Sequence, residues 1–153
     1  MDIRLSLVAL LLRFWLPLLA TLLYAARRGG PPERAAGGML LAAAVGTLVV
    51  RTDFAHRYSS VQGSVVLIDV LLLVGLVALA LKADRRWPIL LAALHGMTVL
   101  GHVGKALNPN LLRLGYAVMI SMPALPGLAV LAVGTWRHQL RMRRHGTDPS
   151  WSD

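Results

Sequence analysis

Long apolar runs separated by short charged connections are the feature that most constrains this sequence. Between residues 61 and 81 the only charged side chain is Asp69. A helix needs roughly 20 residues to cross a bilayer core about 30 Å thick, so a run of this length is typical of a transmembrane helix. With 56% hydrophobic and 15% charged residues, a soluble fold of 153 residues could not bury its apolar surface. We therefore expect an integral membrane protein and exclude soluble enzymes, nucleic-acid modules and disordered tails.

The apolar runs predict an all-α, polytopic bundle of five transmembrane helices that forms one membrane domain over residues 1–153. Charged, glycine-rich and proline-rich connections separate the runs, and the stretch 27–34 is expected to break any helix. Residues 137–153 form a predicted basic cytoplasmic tail. The five predicted spans are approximately 5–26, 35–54, 61–81, 87–107 and 111–136.

The distribution of Lys and Arg predicts the orientation. One set of alternate connections and the C-terminal tail carry ten basic residues, whereas the other set carries five and Arg13 lies inside the first span. Basic residues favour the cytoplasmic side, which predicts an outside N-terminus and a cytoplasmic C-terminus. The bias toward Arg, Ala, Leu and Gly is typical of a GC-rich bacterial genome, so we expect a multi-pass protein of a bacterial inner membrane.

Charged residues inside spans are costly and are therefore functional candidates. Arg13 and Asp69 each lie about 12 Å from the outer ends of their spans, at 1.5 Å per helical residue. Matched depth and opposite charge suggest an ion pair. The pair would either fix the helix register or hold Asp69 as a proton or cation carrier; the third possibility is that the two side chains do not meet.

The fourth span carries a polar stripe. His95, Thr98, His102 and Lys105 follow one another at i, i+3, i+7 and i+10 and so share one helix face. Such a face is expected to meet protein or a cavity rather than lipid. The stripe would either bind neighbouring helices or line a pathway for a ligand or proton.

Polar residues concentrate at the predicted outer end of the bundle, whereas the inner halves of spans three and five are almost entirely apolar. This asymmetry favours an outward-facing pocket over a continuous channel. In span five, Pro123 and Pro126 are expected to kink the helix and free backbone carbonyls. The polar residues expected around the outer mouth are Asp53, His56, Arg57, Tyr58, Gln62, Asn108, Asn110, Arg113 and Tyr116.

The histidines also allow a haem hypothesis, in which His56 and His102 would be axial ligands of haem b. His95 and His102 lie about 10 Å apart along one helix and cannot ligate one iron together. No other cofactor and no metal site is expected. The chain has no cysteine, which excludes thiol chemistry and Cys-ligated metals.

The sequence leaves three functions open and lacks the motifs of phosphate-binding loops, hydrolases and zinc proteases. The first is an accessory or interaction subunit of a membrane complex, without enzymatic activity. The second is a small transporter or a ligand- or proton-binding protein that uses the outward pocket, and the third is a haem-b anchor. Expected partners are anionic headgroups at the basic tail and a protein partner or second copy in the membrane, but no nucleic acid.

Overall fold

The computed structural model describes residues 3–50, 62–110, 112–148 and Trp151, except the side chains of residues 3–13 and of Arg113. This part of the chain is all-α. Its helices, in chain order, are α1 (Ile3–Arg28), α2 (Pro31–Val50), α3 (Gly63–Lys82), α4 (Trp87–Leu107), α5 (Arg113–Ser121) and α6 (Ala124–His145).

Within the described residues, four helical segments are long and apolar enough to cross a membrane, and the last of them runs through both α5 and α6. In an apolar bilayer a helix is favoured because it satisfies every backbone N–H and C=O within the segment itself. Large apolar side chains on the outside of the bundle, such as Leu71 and Val74 of α3, are exposed and suit a lipid-facing surface. The four segments are Pro31–Val50, Gly63–Lys82, Trp87–Leu107 and Leu114–His145.

The helix boundaries follow from local chemistry. α2 begins at Pro31, earlier than the helix break expected across residues 27–34, because proline is tolerated in the first turn, where its missing N–H has no helical partner. Pro88 occupies the same kind of position in α4. α6 ends at Gly146, whose φ of 70° closes the helix with a hydrogen bond to the carbonyl of Met142.

The fifth predicted span is divided in the structure. α5 ends at Ser121 and α6 begins at Ala124, with Met122 and Pro123 between them in right-handed helical conformation. Pro123 has no N–H to donate to the carbonyl four residues earlier, which interrupts the hydrogen-bond ladder here. Pro126 lies inside the first turn of α6. That helix continues to His145, so most of the basic tail is helical.

The helices pack as a closed ring. α1 lies against α2 and α6, α3 lies between α2 and α4, and α4 also contacts α5 and α6. Leu76, Leu91 and Leu131 are almost completely buried where α3, α4 and α6 meet.

The two ends of the bundle have different chemistry, and we name them for it. At the relay end α3 begins, α4 ends and α5 begins. At the arginine end α1, α3 and α6 end, and α2 and α4 begin.

Candidate functional site

Three helices bring polar side chains together near the relay end. Asp69 lies about two turns into α3, and Tyr116 lies in the first turn of α5. His95 and His102 share one face of α4, which packs against both other helices. The polar stripe predicted on the fourth span therefore faces protein.

The centre of the site is a hydrogen-bonded chain through His102, which we call the relay. Nε2 of His102 lies 2.8 Å from Oδ2 of Asp69, and Nδ1 lies 2.6 Å from the hydroxyl of Tyr116. The His102 side chain is only 3% exposed. When Asp69 is ionised and His102 is neutral, Nε2 donates to the carboxylate, which can only accept, and Nδ1 accepts from the Tyr116 hydroxyl.

His95 binds the same turn of α3 and lies farther from the relay end than His102. Its Nε2 lies 2.9 Å from the backbone carbonyl of Asp69, which can only accept, so His95 donates from Nε2. The same nitrogen is 3.8 Å from Oδ1 of Asp69. His95 thus fixes the α3 backbone relative to α4 and adds a second titratable ring beside the carboxylate.

Thr98 and Lys105 complete the stripe without joining the relay. The Thr98 hydroxyl donates to the carbonyl of Ile120 at 3.4 Å, in the last turn of α5, where carbonyls lack helical partners. Buried Lys105 donates from Nζ to the carbonyl of Pro109 at 2.8 Å. Both groups tie α4 to the segment that follows it.

Several residues predicted for the site and for its outer mouth cannot be placed. Outside the described residues lie Asp53, His56, Arg57, Tyr58 and the side chains of Arg13 and Arg113. The Arg13–Asp69 ion pair therefore stays a prediction, while the described contacts of the Asp69 carboxylate are with histidines of α4. Haem ligation by His102 also stays a prediction, and it would require one of two engaged ring nitrogens to be released.

Tyr116 was assigned from sequence to the outer mouth, and its role as the partner of His102 was missed. A signal for it exists. His102 lies five residues before the end of α4 and Tyr116 three residues after the start of α5, and an Asn–Pro turn joins the helices. At about 1.5 Å per residue the two side chains lie at similar depth in a tight helical hairpin.

A second polar cluster, which sequence reasoning missed, lies at the arginine end around Asp148. Its carboxylate lies 2.7 Å from Nη2 of Arg85, 2.7 Å from Nε of Arg141 and 2.5 Å from Nδ1 of His138. Burial alone would raise the pKa of Asp148, but hydrogen bonds from Arg141 and His138 and the charge of Arg85 outweigh it and lower that pKa. Asp148 therefore fastens the chain after α6 to the α3–α4 turn.

Glu33 joins the same end of the bundle from α2. Its side chain is completely buried, yet both oxygens are satisfied: Oε2 accepts from the backbone N–H of Gly30 and Oε1 from the indole of Trp87. Glutamate three residues after the residue that precedes a helix is a capping signal, which the sequence contains as Gly30 to Glu33.

An apolar layer separates the two polar clusters. It consists of buried leucines from α3, α4 and α6 at levels between Asp69 and the arginine end. Thr135 is buried nearby, but its hydroxyl donates to the carbonyl of Leu131 in its own helix. The leucines of this layer are Leu72, Leu76, Leu79, Leu91 and Leu131.

The described part of the chain contains no group of three or more His, Asp or Glu side chains arranged to hold a metal ion. The sequence matches no protein-family model, and no curated protein or solved structure is significantly similar to it. Any functional assignment therefore depends on the geometry of its own residues.

Proposed function

We propose that this is a multi-pass protein of a bacterial inner membrane that binds and releases a proton at the relay, as part of a small proton-coupled transporter. The observation that carries the proposal is the unbroken chain from the Tyr116 hydroxyl through both nitrogens of His102 to the Asp69 carboxylate. We further propose five spans with the N-terminus outside and the C-terminus in the cytoplasm.

The chemistry of the relay suits proton transfer. When Nδ1 of His102 takes the Tyr116 proton and Nε2 gives its own proton to Asp69, one proton has moved along the chain. Tyr116 is then neutralised by a proton arriving from the relay end. Histidine is suited to this role because its ordinary pKa lies near neutral pH and its two nitrogens can exchange donor and acceptor roles.

The position of the relay favours exchange with one side only. His102 lies about 8 Å from the end of α4, at 1.5 Å per residue. On its other side lie buried leucines, and the two polar side chains described beside them, His95 and Thr135, are bonded to the backbone carbonyls of Asp69 and Leu131. This arrangement supports a pocket that opens at the relay end, which the charge count assigns to the outside, rather than a channel.

An accessory role in a membrane complex is compatible with a proton-binding subunit, and a protein partner or second copy remains part of the proposal. The proposal also includes anionic headgroups as partners at the basic end, and it includes no nucleic-acid partner. Haem b remains an alternative. The relay is favoured over haem b because its hydrogen bonds join side chains that the structure describes, whereas haem ligation would need His56, which lies outside the described residues.

The test is ¹⁵N-histidine NMR of the protein in lipid bilayers over a pH series. The chain has five histidines, and the His102→Gln variant assigns the signal of His102. We expect the ¹⁵N signals to place the His102 proton on Nε2 at neutral pH and to change reversibly with pH, at a midpoint that moves in Asp69→Asn and Tyr116→Phe. The control is Asp84→Asn, which changes an exposed aspartate in the α3–α4 turn.

A second measurement addresses transport. Proteoliposomes loaded with a pH dye are given an acid pulse. A transporter must expose the relay to the two sides in turn, so we expect slow proton uptake that falls in Asp69→Asn but not in Asp84→Asn. If the ¹⁵N signals of His102 show neither a change of tautomer nor a change of charge across the pH series, proton binding at the relay is wrong. If His102 titrates and uptake is unchanged in Asp69→Asn, proton binding stands and the transporter role is wrong.

A further inference from the structure

A basic cleft at the arginine end has no role in the relay. It has a volume of about 330 Å³ and lies between the end of α1, the start of α2 and the last turns of α6. No carboxylate lines it. Its charged lining consists of Arg27, Arg28, Arg34 and Arg143, with His138 and Gln139 beside them.

The positive charge of the cleft is not compensated by the acidic residues nearby. The Glu33 carboxylate is bound by Gly30 and Trp87, and that of Asp148 by Arg85, Arg141 and His138. Among the described residues, no carboxylate forms an ion pair with any of the four lining arginines. An anion could therefore bind here without displacing an existing partner.

The walls of the cleft continue into an exposed apolar surface. Leu23 precedes Arg27 by one turn of α1 and is 51% exposed. On α6, Trp136 is 53% exposed and shares a face with Gln139 and Arg143, at i, i+3 and i+7. Exposed tryptophan next to arginine is typical of the level where lipid tails meet headgroups.

We infer that this cleft binds the phosphate group of an anionic phospholipid, with the acyl chains lying along Leu23 and Trp136. Arginine forks match phosphate oxygens, and basic clefts between transmembrane helices on the cytoplasmic side suit anionic headgroups. The inference goes beyond proton binding at the relay and does not depend on it. A soluble phosphate compound would share the headgroup chemistry but would gain nothing from the apolar surface.

The experiment uses the full chain in phosphatidylcholine nanodiscs that contain increasing fractions of brominated phosphatidylglycerol. Bromine quenches nearby indoles, and the difference between the wild type and Trp136→Phe isolates the signal of Trp136. The test variant is the double substitution Arg27→Gln with Arg143→Gln. The matched control is Arg86→Gln with Arg144→Gln, which removes two exposed arginines from the same end that do not line the cleft.

We expect the quenching of Trp136 to saturate at a low fraction of brominated phosphatidylglycerol, whereas brominated phosphatidylcholine should quench it only in proportion to its fraction in the bilayer. The test variant should bind about 30-fold more weakly, since each of its two arginines would lose a direct hydrogen bond to the phosphate, worth about 1 kcal/mol net, and 1.4 kcal/mol is tenfold. Only a small change is expected in the control. Equal losses of lipid affinity in the two double variants would show that overall positive charge attracts the lipid, and a specific site in the cleft would be wrong.

A second arm separates the two sources of phosphate. Inorganic phosphate and glycerol phosphate are titrated by calorimetry into nanodiscs made only of phosphatidylcholine. The inference predicts no binding of either at millimolar concentration. If a soluble phosphate binds tightly and this binding is lost in the test variant, the lipid is not the ligand. If quenching by brominated phosphatidylglycerol does not saturate, there is no specific site.

Discussion

Tyr116→Phe is the sharpest perturbation of the relay because it removes one hydroxyl and little else. The ring of Tyr116 packs edge-on against His102, with centroids 5.7 Å apart, and phenylalanine can keep that contact. The hydroxyl is the group 2.6 Å from Nδ1 of His102, and the tyrosine is 2% exposed, so no bulk water replaces it. The variant therefore reports on the hydrogen bond.

Two scales set the expected size of the effect. Leaving a buried polar group unsatisfied costs about 1–3 kcal/mol in soluble proteins. Hydrogen bonds between membrane helices average about 0.6 kcal/mol and reach about 1.7 kcal/mol. We expect a value near the top of the membrane range, about 1–2 kcal/mol, because the chain ends on a carboxylate and charge-assisted bonds are stronger. This corresponds to about a 5- to 30-fold smaller ratio of folded to unfolded protein.

The decisive measurement is a double-mutant cycle with Asp69→Asn. Asp69 and Tyr116 hold opposite nitrogens of one ring, so His102 transmits the loss of either to the other. Unfolding by SDS in mixed micelles, followed by circular dichroism at neutral pH, should give a coupling energy of at least about 0.5 kcal/mol. Two independent side-chain contacts would instead give additive effects, which would refute the relay as one unit.

Tyr24→Phe is the matched control for this cycle. Tyr24 lies near the end of α1 and has no hydrogen-bond partner among the described residues. The same chemical change there should leave the unfolding transition in place and show no coupling to Asp69→Asn. An equal loss in both tyrosine variants would mean that the hydroxyl acts through general solvation rather than through His102.

Three further variants test the arginine end by unfolding in detergent. At neutral pH, Asp148→Asn should lower the free energy of unfolding by about 2–3 kcal/mol, because it removes the partner of buried Arg85. The folded-state pKa of Asp148 lies below its ordinary value of 3.8, so the carboxylate stabilises the fold fully at pH values above 3.8. The difference in the free energy of unfolding between wild type and variant should disappear only as the pH falls through the lowered pKa. Gly134→Ala should cost about 1–3 kcal/mol, because a Cβ there would lie 2.9 Å from the Trp87 ring; Gly104→Ala, whose Cβ meets nothing, is the control. Trp87→Phe should cost about 1–3 kcal/mol by leaving the Glu33 carboxylate without its indole donor, and an unchanged transition would show that water replaces the indole.

Hydropathy was sufficient to predict the all-α class and the long apolar helices. The α4 boundaries were predictable because an interfacial Trp–Pro pair precedes a run of about 20 residues. The start of α2 was not, because proline breaks a helix in its middle but begins one equally well. The interruption of the fifth span near Pro123 follows from the missing N–H, although sequence gives no position for the following helix.

The candidate site was predictable only in part. Helical spacing placed His95 and His102 on one face, and a charge inside a span marked Asp69, so two of the three relay residues, His102 and Asp69, could be predicted from the sequence. Which residue pairs with which depends on how helices rotate about their axes, and an uncharged apolar pattern does not fix that rotation. The same limit hid the Asp148 cluster, because its partners come from segments that are far apart in sequence.

The relay contains more ionisable chemistry than helix packing requires. α3 and α4 are already joined by His95 on the Asp69 carbonyl, and α4 and α5 by Thr98 on the Ile120 carbonyl. Neutral contacts of this kind hold membrane helices together without the cost of about 2.5–3.5 kcal/mol that an aspartate incurs at a bilayer centre. An additional carboxylate, imidazole and phenol in series would add the free-energy cost of ionisable groups in the membrane. They would only repeat helix contacts that the neutral groups already supply. Proton binding, in contrast, requires ionisable groups. Their presence in addition to the neutral contacts is the strongest argument for proton binding over a structural role.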